Sequence, residues 1–193
     1  MTLNTITLNG LALLCLTVLP NCSATARTQA LSSASKDIRW PERYEPTKSR
    51  FFVRNEIEIH ATPAIVWSEL VDYTQWSSYY RGAAEVRLIT PPRSRTLAKA
   101  SVFEWRTMGL RFKSTVHEWE PGRRLSWESV NRKITGYHAW LIIPTAQGCK
   151  LVTEESQLGW LTYLERVFQP NKLRLLHDEW LAGIKKRAEQ RTH

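Results

Sequence analysis

Residues 171–189 read NKLRLLHDEWLAGIKKRAE. Leu173, Leu176, Trp180 and Ile184 recur every three or four positions, while Arg174, Glu179, Lys185, Lys186 and Arg187 fill most of the positions between them. That spacing predicts a long amphipathic helix with one apolar stripe. Upstream, Phe51 to Gln157 reads as one short helical region plus strands. A single long helix at the end of a run of strands needs a sheet to cover its stripe. The expectation is an α+β fold: a sheet curled around this helix, with a cavity between them.

The chain has 193 residues, enough for one domain with a substantial core. It carries nine tryptophans. Tryptophan often sets its ring in an apolar wall and its N–H on a polar partner, which suits either a large aromatic core or a lined pocket. The formal net charge is +9. Such a balance fits nucleic acid, an anionic membrane or acidic ligands. Here the Lys and Arg residues are scattered from Arg27 to Arg191, with no basic run interleaved with aromatics and no nucleic-acid-binding motif. No nucleic-acid partner is expected. Of the three cysteines, Cys15 and Cys22 sit in or just after the N-terminal apolar stretch. Cys149 is then the sole thiol of the folded part, with no disulfide expected there.

Taken in order, Leu11 to Leu19 is a mostly apolar run too short to span a bilayer, which takes about 20 apolar residues. Ala24-Thr25-Ala26 is a small-x-small site of the kind signal peptidase cuts. Residues 1–26 are therefore expected to be a signal peptide, although Met1 to Gly10 carries no Lys or Arg. An exported protein of the periplasm or cell envelope follows, with lipid anchoring at Cys22 disfavoured by Asn21 and Pro20 beside it. Residues 27–50 read as a linker or loosely packed arm, on which Trp40 and Tyr44 could tuck onto the domain.

Phe51 to Ile59 alternates as a strand with one buried face. Thr62 and Pro63 supply a cap and a first helical position, and Val66, Trp67 and Leu70 an apolar face. A second short helical piece follows near Trp76. Strand-like runs then cover about Ala84–Thr90, Leu97–Arg106, Leu110–Glu120, Arg123–Val130, Ile134–Ile143 and Cys149–Gln157. Pro-Pro, Met-Gly, Pro-Gly and the Pro144 to Gly148 segment separate most of them, so neighbours should be antiparallel. Trp160, Leu161, Tyr163, Leu164, Val167 and Phe168 make a short amphipathic helix, broken at Pro170. The single domain is expected over 51–190.

Three stretches carry a family resemblance. EIEIHATPAIVWSELVDYTQW holds Ala61, Pro63, Val66, Trp67, Leu70, Asp72 and Trp76. TVHEWEPGRRLSW pairs two strands around Pro121-Gly122, with Leu125 and Trp127. GYHAWLIIPTAQGCKLVTEESQLG holds Gly136, His138, Trp140, Gly148, Glu155 and Gly159. In order and spacing these resemble the SRPBCC superfamily, which includes the START, Bet v 1-like and polyketide cyclase/dehydrase and lipid transport proteins. The resemblance covers about Phe51 to Glu189. It implies a helix-grip fold: a seven-stranded antiparallel sheet wrapped around a long C-terminal helix, with two short helices after the first strand. It also implies a cavity for a small hydrophobic ligand, lipid-like or polyketide-like.

Strand alternation assigns the inward faces. They are Phe103 and Trp105 on one strand, Phe112 and Val116 on the next, and Trp127 on the third. His138 and Trp140 follow, then Thr153 and Glu155. The helices add Tyr163, Leu173, Leu176, His177 and Trp180. A hairpin folded around Pro144–Cys149 sets Ile142 against Leu151, Trp140 against Thr153 and His138 against Glu155. Directly opposed residues have Cβ atoms about 4.5–5.5 Å apart, within reach of a hydrogen bond or ion pair. His138 and Glu155 are thus the candidates for a ligand's polar anchor or for acid–base chemistry, and equally for a pair that only fixes the sheet.

His60, His117, His138, His177 and His193 show no close metal-ligand spacing in sequence, so neither a metal nor another cofactor is expected. Cys149 reads as a passive thiol. Lys185, Lys186, Arg187 and Arg191 suit the negative end of the helix, and they also fit a transient contact with an anionic membrane. Three readings stay open: a carrier of an apolar molecule, a cyclase-, dehydratase- or hydrolase-like enzyme using His138 and Glu155, and a protein whose cavity is filled by its own side chains.

Overall fold

The computed structural model describes residues 36–91 and 94–192. The expected signal peptide and the first part of the arm lie outside the described residues. Seven strands form one antiparallel sheet: β1 (Phe51–Ile59), β2 (Ala84–Leu88), β3 (Val102–Thr107), β4 (Leu110–Glu120), β5 (Arg124–Val130), β6 (Thr135–Thr145) and β7 (Gly148–Leu158). Their order is β1-β7-β6-β5-β4-β3-β2, a meander whose last strand returns to pair with the first. Between β1 and β2 lie α1 (Pro63–Val71) and the one-turn α2 (Trp76–Tyr79). After β7 come α3 (Trp160–Phe168) and the long α4 (Lys172–Gln190), around which the sheet curls.

Local chemistry sets these elements. Thr62 accepts a hydrogen bond from the Ile65 amide and Pro63 opens α1, the expected start. The stripe of α4 is buried at Leu173, Leu176, Trp180 and Ile184, and His177, Leu181 and Ala188 widen it. Asn55 on β1 donates to Asp178 Oδ1 at 2.6 Å and to the Arg174 carbonyl at 3.2 Å, pinning the first half of α4. Buried Glu69 on α1 pins the second half through Arg187 at 2.6 Å and Arg191 at 2.8 Å. With Lys185 on Glu189, three of the four C-terminal cations hold partners within the fold.

Two expectations change. The third strand begins at Val102 rather than Leu97, because Ala98–Ser101 forms a turn: the Ser101 amide donates to the Ala98 carbonyl and Ser101 Oγ accepts from the Ala98 amide. Leu97 is buried instead by bonding its amide to the Val71 carbonyl at the end of α1. The arm is also not loose from Asp37 onward. Ile38 and Tyr44 are buried on the outer face of the sheet against Tyr137, Ala139, Leu141 and Val152. Tyr44 donates to Glu128 at 2.6 Å and its ring stacks on Tyr137. β6 is therefore buried on both faces from Gly136 to Ile142, with Trp140 and Ile142 inward beside His138 and Tyr137, Ala139 and Leu141 outward.

Candidate functional site

The β6–β7 hairpin sets the site. Its register pairs Ile142 with Leu151, Trp140 with Thr153 and His138 with Glu155, all on the inner face. Two positions nearer the strand ends, Gly136 pairs with Gln157. A Cβ on Gly136 would stand 3.0 Å from Glu155 Oε1, so the glycine leaves the carboxylate its room. α4 then lowers His177 onto the pair.

Glu155 is the hub. His177 Nε2 lies 3.1 Å from its Oε2, His138 Nδ1 lies 3.5 Å from the same oxygen, and Gln157 Nε2 donates to Oε1 at 2.7 Å. His138 Nε2 lies 2.7 Å from Thr153 Oγ1, and its ring stacks on Trp140 and on His177, each with centroids 4.8 Å apart. A carboxylate only accepts, so the network places the His177 proton on Nε2 and the His138 proton on Nδ1, with the Thr153 hydroxyl donating to His138 Nε2. Burial, reinforced by the neighbouring His177, holds the His138 ring down at about 3, against the pull of Glu155. Burial pushes the Glu155 carboxyl up, but the hydrogen bond from His177, the nearby His138 and the bond from Gln157 outweigh it and hold it at about 2. At neutral pH, then, His138 is uncharged and Glu155 is an anion held by its donors.

This cluster meets a cavity of about 30 Å³, on the scale of one or two waters. The cavity lies at the end of the sheet marked by the β3–β4 turn and the start of β6. Its apolar walls are Trp105, Met108, Leu110, Phe112, Leu173 and Trp180, and its polar ones include Tyr80, His138, Glu155, Gln157 and His177. Burial pushes the Tyr80 phenol up, so it stays protonated and able to donate.

Seven of the residues assigned inward from the sequence border this space: Trp105, Phe112, His138, Glu155, Leu173, His177 and Trp180. Phe103, Val116, Trp127, Trp140, Thr153 and Leu176 are buried but stand in the closed core beside it. Tyr163 is a correction. It is 57% exposed, because α3 buries Thr162 and turns the Tyr163 side outward. Periodicity gives a stripe, and it does not say which way the stripe faces. Gln157 and Gly136 were missed, although continuing the alternation by two residues on each strand reaches both. Tyr80, Met108 and Leu110 lie in or next to turns, where alternation carries no signal.

Sequence spacing hid a group that the fold assembles: one nitrogen from each of His138 and His177 and one Glu155 oxygen all lie within 4.8 Å. The rings stack with only 23° between their planes. Imidazole lone pairs lie in the ring plane, so the two run side by side, and one ring must turn before both can meet one ion. Cys149 is buried, with its thiol pushed up to about 11 by burial, an unreactive setting.

Solved structures share this fold. Hypothetical protein jhp0584 from Helicobacter pylori is 25% identical, with a TM-score of 0.74 over 81% of this chain and 98% of that one. The Zhui aromatase/cyclase from Streptomyces sp. R1128 is 12% identical, with a TM-score of 0.62 over 74% of this chain and 95% of that one. The di-domain aromatase/cyclase StfQ of the steffimycin biosynthetic pathway is 12% identical, with a TM-score of 0.60 over 73% of this chain and 52% of that one. Among curated proteins no sequence matches the chain. Residues 50–189 match the family described as polyketide cyclase / dehydrase and lipid transport, and with most of its length inside that match the chain belongs to this family.

Proposed function

We propose that this protein binds a small, largely apolar molecule that ends in a neutral hydroxyl or phenol, between the sheet and α4. One observation carries the reading: a half-buried carboxylate, its side chain 14% exposed, sits with convergent polar neighbours in an otherwise aromatic and aliphatic cavity. The polar chemistry selects the headgroup. Glu155 Oε2 and the buried Gln157 Oε1, which has no hydrogen-bond partner among the described residues, both accept. A hydroxyl donates its one proton to either of them, while a carboxylate would meet the Glu155 charge in a site of low dielectric. The cavity is far smaller than the 300–1,000 Å³ or so of a drug-sized site, so an apolar tail must displace side chains. Met108 and Leu110, half-buried at the β3–β4 turn, are the ones that can yield, and an unbranched methionine repacks readily.

Proton transfer has less support. Both oxygens of Glu155 are already engaged by His177 and Gln157, and both ring nitrogens of His138 face Thr153 and Glu155. The test is calorimetric titration of the purified protein with a naphthol, naphthalene and a naphthoate. The naphthol should bind saturably and at least tenfold more tightly than the naphthoate, and Glu155→Gln should shrink that ratio toward one. Absence of saturable binding by all three, or a preference for the naphthoate, would overturn the proposal.

A further inference from the structure

α3 turns its apolar side to water. Trp160, Tyr163, Leu164, Val167 and Phe168 follow the three-and-four spacing of one helical stripe, and their exposures are 58%, 57%, 38%, 51% and 75%. Among the described residues of α3, Thr162 is the buried one. A helix of a globular protein ordinarily buries such a stripe. The roll of α3 is fixed at its start. Gly159 has φ +118°, and a Cβ there would stand 2.6 Å from the Lys133 carbonyl, which also accepts from the Leu161 amide. Two further apolar residues outside α3 are exposed. Leu175 on the first turns of α4 is 57% exposed, and Val130 at the end of β5 is 47% exposed. Both lie at the cavity's end of the sheet.

Basic residues border this surface. Arg132, Lys133 and Arg174 are exposed, and Lys172 is half-buried. None of the four makes an ion pair with a described residue. Elsewhere the surface cations are largely matched: Arg81 with Glu179, Arg87 with Glu104, and Arg106 and Arg111 with Glu85. An apolar stripe with tryptophan and tyrosine at its flank, rimmed by cations in a chain of net charge +9, is complementary to the interface of an anionic bilayer. At nine residues α3 is about 14 Å long, less than half the hydrocarbon thickness, so it can lie in the interface but not cross it. Among the described residues no helix is long and apolar enough to cross a membrane.

We propose that α3 is a membrane-docking helix that seats the cavity end of the protein on an anionic lipid surface. Trp160, Leu164 and Phe168 enter the acyl boundary, and Arg132, Lys133, Lys172 and Arg174 lie at the phosphates. This surface is separate from the basic end of α4. The proposal does not depend on which molecule the cavity takes.

The experiment is co-sedimentation of the full chain with vesicles of phosphatidylcholine alone and of phosphatidylcholine with phosphatidylglycerol, at two salt concentrations. The anionic vesicles should bind it more tightly. Trp160→Ser/Phe168→Ser should weaken that binding tenfold or more. Arg132→Glu/Lys133→Glu should remove most of the preference for anionic lipid, since each cation near such a surface contributes about fivefold. Circular dichroism and thermal melting of both variants should match the parent, because every substituted side chain is exposed. Equal binding by the parent and the Ser variant would overturn the proposal, and would place any membrane affinity elsewhere, such as the apolar run Leu11–Leu19. Absence of vesicle binding would also overturn it. So would a dimer that forms without lipid, fails to bind vesicles and is dissolved by the Ser substitutions, which would assign the stripe to a second copy.

Discussion

Two regions of the interior share the same sheet and helix but are built in opposite ways. In the aromatic cluster, Trp76, Phe103, Trp127, Trp140 and Trp180 are 0–1% exposed and pack ring on ring, with centroids such as 5.6 Å for Trp76–Trp127 and 5.0 Å for Trp76–Trp180. Trp127 and Trp140 give up hydrogen bonding by Nε1 to achieve this. An unpaired buried N–H costs about 1–3 kcal/mol, so ring packing must offset it there. In the polar cluster the priorities reverse. His138, Glu155, His177 and Gln157 satisfy most of one another's polar atoms, and a cavity of about 30 Å³ lies beside them. The two clusters touch where Trp127 meets His138, with centroids 4.9 Å apart. The contrast separates two jobs: the aromatic side holds the grip closed, and the polar side is the one to which the proposed function assigns recognition.

The sharpest way to break that division is Trp127→Ala. It should cost about 3–5 kcal/mol, the range for deleting a fully buried large aromatic side chain, read as a lower midpoint in urea unfolding. A cost below about 1 kcal/mol would mean that the aromatic cluster does not hold the fold.

The polar side should instead reveal itself through pH. An unfolded His138 takes up a proton near 6.5, and the folded ring refuses it until about 3. The unfolded state therefore binds more protons in that window. The contribution is complete above pH 6.5 and is lost as the pH falls toward 3, at about 1.4 kcal/mol per pH unit where steepest. Glu155 acts in the same direction lower down, its contribution being lost as the pH falls from 4.5 toward 2. His138→Phe should flatten the profile of urea midpoints between pH 6.5 and 4.5. An unchanged slope there would show that the acid sensitivity comes from elsewhere.

The smallest effect is expected at the rim. Phe168→Ser should change stability by no more than about 0.5 kcal/mol, since 75% of Phe168 is already in water. A larger loss in thermal melting would mean that α3 belongs to the core after all.

The legible parts of this molecule are those fixed by local rules. The stripe of α4 follows from periodicity. The pairing of His138 with Glu155 follows from alternation across a hairpin whose turn, between Thr145 and Gly148, leaves little room for slippage. The capping of α1 by Thr62 is a local bond. What was not legible depends on sums over space. His177 joins Glu155 from 22 residues away on a different element. The size of the cavity is the small difference between the volume the sheet encloses and the volume the tryptophans fill, and no single residue encodes it. Tyr137, Leu141 and Val152 read as an outer face, and only the packing of Ile38 and Tyr44 makes that face a second core.

The strand order carries a consequence for how the chain finds its fold. From β2 to β7 each strand pairs with its neighbour in sequence, so the meander can zip through a series of short closures. β1 alone must pair at long range, joining Arg54 to Glu154 across 100 residues. Loop-closure entropy grows with the logarithm of that separation, so the topological cost of the sheet is concentrated in one strand pair. The same β1 holds α4 through Asn55, so the step that completes the sheet also fixes the helix it grips.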